Sequence, residues 1–163
     1  VVQAAIAVGE HGQRRGVGIG LRAVAVLAQG RGLGTGHVGG HFAAQHAHGH
    51  AVGDEVLRHV AQLLRESLRE DSLIVRYGGD EFCALVPVAS EAAAFVVGER
   101  LRIAMATSPY LQVDPPIMIT ASVGVSVHRH GSSLRERLVE ADKRAYNAKA
   151  GGRNLVIGDR PTL

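Results

Sequence analysis

From residue 51 onward, apolar and polar positions alternate in regular ways, and those rhythms predict most of the secondary structure. In "AVGDEVLRHVAQLLRESLRE" the residues Val56, Val60, Leu63, Leu64 and Leu68 recur at helical spacing and form one apolar face. "SLIVRY" and "EFCALV" are short apolar runs on either side of Gly78-Gly79-Asp80, the pattern of a β-hairpin. Residues 90–107 predict a second helix with Ala93, Val97, Leu101 and Ala104 inward. "IMITASVGVSVH" alternates strictly: Ile117, Ile119, Ala121, Val123, Val125 and Val127 share one face, and Met118, Thr120, Ser122, Gly124 and Ser126 the other. That predicts a half-buried strand. Ser133 followed by Glu136 is a capping-box start. The helix it opens turns Leu134, Leu138, Ala141 and Ala145 inward and stops at Gly151-Gly152. "NLVIG" predicts a last strand. The order helix, strand, strand, helix, strand, helix, strand implies an α/β sandwich, with an antiparallel hairpin inside a mixed sheet and helices over its faces.

The first third of the chain has a different texture. Residues 1–53 carry 13 of the 21 glycines and 6 of the 9 histidines, which disfavours regular helix there. "AVAVLAQ", residues 23–29, is a candidate strand, and "VVQAAIAV", residues 1–8, fits strand or helix. We therefore divide the chain into an atypical Gly/His/Ala-rich segment, 1–48, and a patterned domain, 49–163.

Charge and composition narrow the function classes. The 163 residues are 46% hydrophobic and 20% charged, as in a globular domain with a real core. The net charge of +3 comes from residues 1–53, where four arginines face one glutamate. With 4% aromatics and no Lys/Arg cluster, a nucleic-acid-binding role is not expected. No apolar run reaches the roughly 20 residues of a membrane span. The start of the chain has no signal-peptide pattern. A single cysteine, Cys83, precludes an internal disulfide, and together these features predict a cytoplasmic location.

The candidate chemistry gathers at the hairpin. Gly78 and Gly79 allow a ligand close to the backbone, whose N–H groups suit phosphate oxygens. Asp80 and Glu81 add two hard oxygen donors, fit for Mg²⁺ carried with substrate phosphates. Lys149 and Arg153 flank two glycines just past a helix end; they suit either the helix dipole or a phosphate clamp. Asp54, near a helix start, is equally a dipole partner or an acceptor for the amino and imino groups of a base. Histidines 41, 46, 48 and 50 offer a weaker metal alternative, in which His46, His48 and His50 share a face of an extended segment.

"GHAVGDEVL" (49–57), "RYGGDEF" (76–82), "ITASVGVSV" (119–127) and "ADKRAYNAKAGGRN" (141–154) stand in the order and spacing of the GGDEF domain family, the diguanylate cyclases. The resemblance covers about residues 49–158. It implies the palm-like α/β sandwich of that family, with a mixed, mostly antiparallel sheet. It implies condensation of two GTP into cyclic di-GMP with loss of pyrophosphate, in bacterial second-messenger signalling. By the same resemblance, Asp80 and Glu81 would be the catalytic and metal-binding pair for Mg²⁺ or Mn²⁺. Gly78 and Gly79 would approach the GTP. Asp54 would read guanine with Leu57 beside the base. Lys149 and Arg153 would hold the β- and γ-phosphates. Arg69 would be the remnant of an inhibitory product site whose acidic partner position holds Ser72. The working unit would be a homodimer, driven by a sensor or receiver domain outside this chain.

Upstream the family pattern changes. Where the family has a strand ending in Asp-x-Asp-His-Phe, this chain reads "HVGGHFAAQHAHGH", 37–50. Phe42 resembles the Phe of that pair, displaced by one residue, and Gln45 stands where an Asn would read guanine. Glycines replace the carboxylates, and no acid lies between Glu10 and Asp54. A degenerate domain that binds GTP or a partner protein without catalysis is thus the alternative expectation.

Overall fold

A computed structural model describes residues 22–33, 49–128 and 131–158, the first of these as backbone. Its elements run β1 (Arg22–Leu33), α1 (His50–Ser67), β2 (Leu73–Gly78), β3 (Glu81–Val88), α2 (Glu91–Thr107), β4 (Met118–Val127), α3 (Leu134–Ala150) and β5 (Val156–Ile157). The sheet order is β2-β3-β1-β4-β5. All pairings are antiparallel except β4 with β5. The candidate strand at 23–29 is therefore the central strand, paired on one side to β3 and on the other to β4. The stretch 1–8 lies outside the described residues.

One face of the sheet carries α1 and α2. Phe82, Ala84 and Val86 of β3 join Ile119, Ala121, Val123, Val125 and Val127 of β4 in a single core. Val56, Leu57, Val60, Leu64 and Leu68 from α1 and Ala94, Leu101 and Met105 from α2 fill it. Of the Ala93, Val97, Leu101, Ala104 set that spacing predicts, Leu101 is buried and Val97 packs partly buried against the core, but the fully buried line of α2 is Ala94, Gly98, Leu101 and Met105. The helix is apolar on several sides, so periodicity chooses no unique face. Gly98 does choose one: a Cβ there would lie 2.8 Å from Val125 and 2.9 Å from Val156, so the helix closes on the sheet at that point.

The other face carries α3, and here the half-buried reading of β4 is corrected. Ser122 and Ser126 are buried, and Gly124 meets α3 so closely that a Cβ would fall 1.9 Å from the carbonyl oxygen of Ala141. The alternate positions of β4 are small because a helix covers them, not because water does. Ala141, Ala145 and Cys83 form the contact layer, with Leu85 and Leu138 at its margin. Leu134, expected inward, is exposed in the first turn of α3. Ser126 Oγ donates to the Arg137 carbonyl at 2.5 Å. Arg144 donates to the Val125 carbonyl at 2.5 Å and pairs with Glu140. The capping box is present: Glu136 N–H donates to Ser133 Oγ at 3.2 Å, and Ser133 N–H to Glu136 Oε2 at 2.8 Å.

Candidate functional site

The hairpin positions the acidic pair. Strand pairing resumes at Gly78 and Glu81 after a shift between Arg76 and Gly78, so the loop is the two residues Gly79 and Asp80, not the three read from sequence. Gly79 has φ +30, and no atom lies within 4 Å of where its Cβ would be. The space above it is free for a ligand. Glu81 Oε2 lies 3.8 Å from the corresponding Cβ position of Gly78, which places this carboxylate beside the glycine pair. By strand alternation Glu81 shares a side of β3 with Cys83 and Leu85, the side that faces α3.

A cleft of about 860 Å³, a volume suited to a small-molecule ligand, runs between α1 and the strands β2 and β3 that lead to the turn; Gly78, Gly79, Asp80 and Glu81 themselves do not line it. Asp54, Leu57, Arg58, Ala61 and Arg65 line it from α1, and Arg69, Ser72, Ile74, Arg76 and Phe82 from the opposite wall. Of the residues singled out from sequence, Asp54, Leu57 and Arg69 share this cleft. Asp54 is exposed four residues into α1, whereas Leu57 is buried and belongs to the core as well. Arg69 pairs with its near neighbour Asp71, Nε to Oδ1 at 3.1 Å.

Arg58, Arg65, Arg76 and Phe82 were not singled out. Arg58, Ala61 and Arg65 continue the helical stripe begun by Asp54 and Leu57, a signal available in the sequence. Arg76 has no such signal, because its partner is a backbone carbonyl: Nε and Nη2 donate to Gly79 O at 2.9 and 2.6 Å.

The N-terminal half of α1 is braced from behind. The Tyr110 hydroxyl donates to Glu55, the residue after Asp54, and that hydrogen bond, with burial adding to it, raises the phenol above its ordinary pKa. The His59 and Tyr110 rings meet edge to face with centroids 5.9 Å apart. His59 Nε2 lies 3.1 Å from the Ser108 carbonyl.

Lys149 and Arg153 are not on the cleft wall. They flank the end of α3, where Gly151 N–H returns to the Asn147 carbonyl at 2.8 Å and Arg153 N–H to that of Ala148 at 3.0 Å. Arg153 and Asn154 both take positive φ, 63 and 46. Asn154 Oδ1 accepts from Arg102 of α2 at 3.2 Å. Strand register relates this loop to the hairpin. Glu81 pairs with Gln29, Gln29 with Ser122, and Val123 N–H donates to the Leu155 carbonyl at 2.8 Å. Glu81 and the 151–154 loop therefore stand at the same end of the sheet, about three strand spacings or ~15 Å apart. Phe42 and Gln45 lie outside the described residues. His50 opens α1, so it does not share an extended segment with His46 and His48.

Among the described residues no group of three His, Cys, Asp or Glu side chains could hold a metal ion. Strand β1, which pairs Gln29 with Glu81, contains no acid. Among the described residues Asp80 and Glu81 alone offer two adjacent hard oxygen donors at the turn, the number of protein carboxylates Mg²⁺ usually takes when other ligands complete its shell. Also among the described residues, no helix is long and apolar enough to cross a membrane.

The fold and cleft define a class: a palm-like α/β domain that presents an acidic glycine hairpin beside a ligand-sized groove. The family described as "Diguanylate cyclase, GGDEF domain" matches residues 43–155, and the chain belongs to it. It is 40% identical over 108 residues to response regulator PleD of Caulobacter vibrioides, covering 64% of this chain and 24% of PleD. It is 40% identical over 102 residues to diguanylate cyclase DgcP of Pseudomonas aeruginosa, covering 62% of this chain and 15% of DgcP. The chain thus spans a quarter or less of the length of these two relatives. Among solved structures, the GGDEF domain of YfiN (TpbB) from Pseudomonas aeruginosa superposes with TM-score 0.72 at 26% identity, over 83% of this chain and 81% of that one.

Proposed function

We propose that this domain condenses two molecules of GTP into cyclic di-GMP, releasing two pyrophosphates. The observation that carries this reading is the cleft, in which Asp54 and Leu57 of α1 face the wall that ends in the Gly78–Glu81 hairpin. Asp54 accepts hydrogen bonds from the imino and amino groups of guanine, and Leu57 packs against the base. The open space over Gly79 admits the phosphates close to the backbone. Lys149 and Arg153 hold the terminal phosphates from the far side of the same sheet end. Gln45 adds an amide to base recognition and Phe42 an apolar contact to the nucleotide.

The 3′-hydroxyl of one GTP attacks the α-phosphorus of the other. A P–O bond forms, the bond to pyrophosphate breaks, and Glu81 takes the hydroxyl proton. Asp80 and Glu81 would hold Mg²⁺ or Mn²⁺, which when bound supplies positive charge to the phosphate oxygens. Each domain carries one GTP, so two copies meet face to face and activity per chain rises with protein concentration. Such a domain serves bacterial signalling under the control of a sensor or receiver domain.

Incubation with GTP and Mg²⁺ or Mn²⁺ is expected to yield cyclic di-GMP and pyrophosphate, separable by chromatography. Asp80→Ala lowers the yield by orders of magnitude. Absence of product from the unaltered chain, or an undiminished yield from Asp80→Ala, overturns the reading.

A further inference from the structure

The tip of the hairpin is the part of the site with the least strand pairing to hold it. Register shifts between Arg76 and Gly78, and at such a bulge the ladder of backbone bonds is interrupted. The loop beyond is two residues long and begins with a glycine at positive φ. Glycine leaves that backbone with more conformational freedom than any other residue would. Yet Asp80, which must present its carboxylate reproducibly, is the second residue of this loop.

We propose that Arg76 is the positioning residue for this turn, fixing the Gly79–Asp80 peptide and through it the Asp80 carboxylate. Two donors of one planar guanidinium, Nε and Nη2, converge on the single carbonyl oxygen of Gly79 at 2.9 and 2.6 Å. A rigid fork that engages one oxygen twice sets the direction of that carbonyl. The peptide is planar and trans, so fixing the carbonyl fixes the Asp80 N–H on the opposite side and the Asp80 Cα on the same side as the oxygen. Arg76 sits just before the bulge and its side chain spans the gap the ladder leaves. The guanidinium has five N–H groups, and this contact uses two. The side chain also lines the cleft, so the turn is held from the ligand side. Lysine carries the same charge as a point ammonium without the planar fork. Charge alone is therefore not what the position requires.

This inference rests on the reading of the turn as the element that meets the nucleotide. Arg76→Ala and Arg76→Lys are compared with the unaltered chain by titration calorimetry with GTP, once with Mg²⁺ and once with EDTA. Thermal melts and amide ¹⁵N spectra of the unliganded proteins accompany the titrations. Both variants are expected to melt within a few degrees of the parent. Both lose about tenfold of the affinity that Mg²⁺ adds, the worth of a charge-assisted hydrogen bond. Retention of the whole Mg²⁺-dependent gain in Arg76→Ala overturns the proposal. So does an equal loss in Mg²⁺ and EDTA with a collapsed melting temperature, which marks a merely structural role. If the unaltered chain binds no GTP in either buffer, the nucleotide reading of the site fails instead. The positioning role is then decided by the spectra: the Gly79 and Asp80 amides shift or broaden in both variants if it holds, and stay unchanged if it does not.

Discussion

The two faces of the sheet are packed by opposite strategies. On the α1/α2 face, large side chains such as Leu64, Leu101, Met105 and Ile119 fill the distance between helix and strand. On the α3 face, Gly124, Ala141 and Ala145 remove that distance, and backbone meets backbone. The first arrangement tolerates change by volume; the second is limited by atoms that cannot move aside. The difference matters for the proposed site, because each face would carry one part of it. Asp54 and Leu57 ride on α1 above the thick layer, while Lys149 and Arg153 hang from the end of the helix seated against Gly124.

The sharpest way to break the contrast is Gly124→Ala. Its Cβ would stand 1.9 Å from Ala141 O and 2.4 Å from Ala145 N, both backbone atoms. The helix must lift off the sheet, and the expected loss exceeds about 4 kcal/mol, at the extreme of single substitutions. Urea unfolding followed by circular dichroism measures it; a loss under ~1 kcal/mol contradicts the backbone contact. On the thick face, Leu64→Ala leaves a cavity and costs about 2–5 kcal/mol with the fold retained.

The α3 contact layer also has an alkaline signature. Burial pushes the Cys83 thiol up to about 11 from 9.0. A group held protonated in the folded state contributes stability that is complete below the unfolded pKa and is lost as pH rises toward the folded one. Stability should therefore fall between pH 9 and 11, by roughly 2–3 kcal/mol for a shift of this size. Cys83→Ala flattens that slope, and an unchanged slope in the variant assigns it elsewhere. The smallest effect is at the start of α3. Ser133→Ala removes a cap and costs about 1 kcal/mol by the same unfolding assay. The bonds from Ser133 hold the Glu136 carboxyl below its usual range, so the cap is intact at neutral pH and weakens as acid protonates Glu136.

How far the sequence reveals this molecule depends on where each partner lies. The hairpin, α1 and the capping box are legible because their signals are local: period, turn residues and a three-residue spacing. The register of α2 is not, because "AAAFVV" gives several apolar faces and the choice falls to Gly98 against Val125. β4 misleads for a related reason, since Ser122, Gly124 and Ser126 look like a wetted face when they are small to admit a helix. Within the cleft, Asp54, Leu57 and Arg69 are readable from motifs. Arg76 is invisible as a positioning group, because a hydrogen bond to Gly79 O leaves no mark on the identity of residue 79's neighbours.

The place of β1 has a consequence in time. Val24 pairs with Val127 and Gln29 with Glu81, so the middle strand finds its partners only across long stretches of chain. Closing such loops is slow, and folds dominated by distant pairings reach the native state in milliseconds to seconds rather than microseconds. Until β1 is seated, β3 and β4 each have an open edge beside apolar side chains, the arrangement that invites pairing with another chain. A version beginning at residue 49 would keep that exposure permanently, and its yield as monomer should drop accordingly.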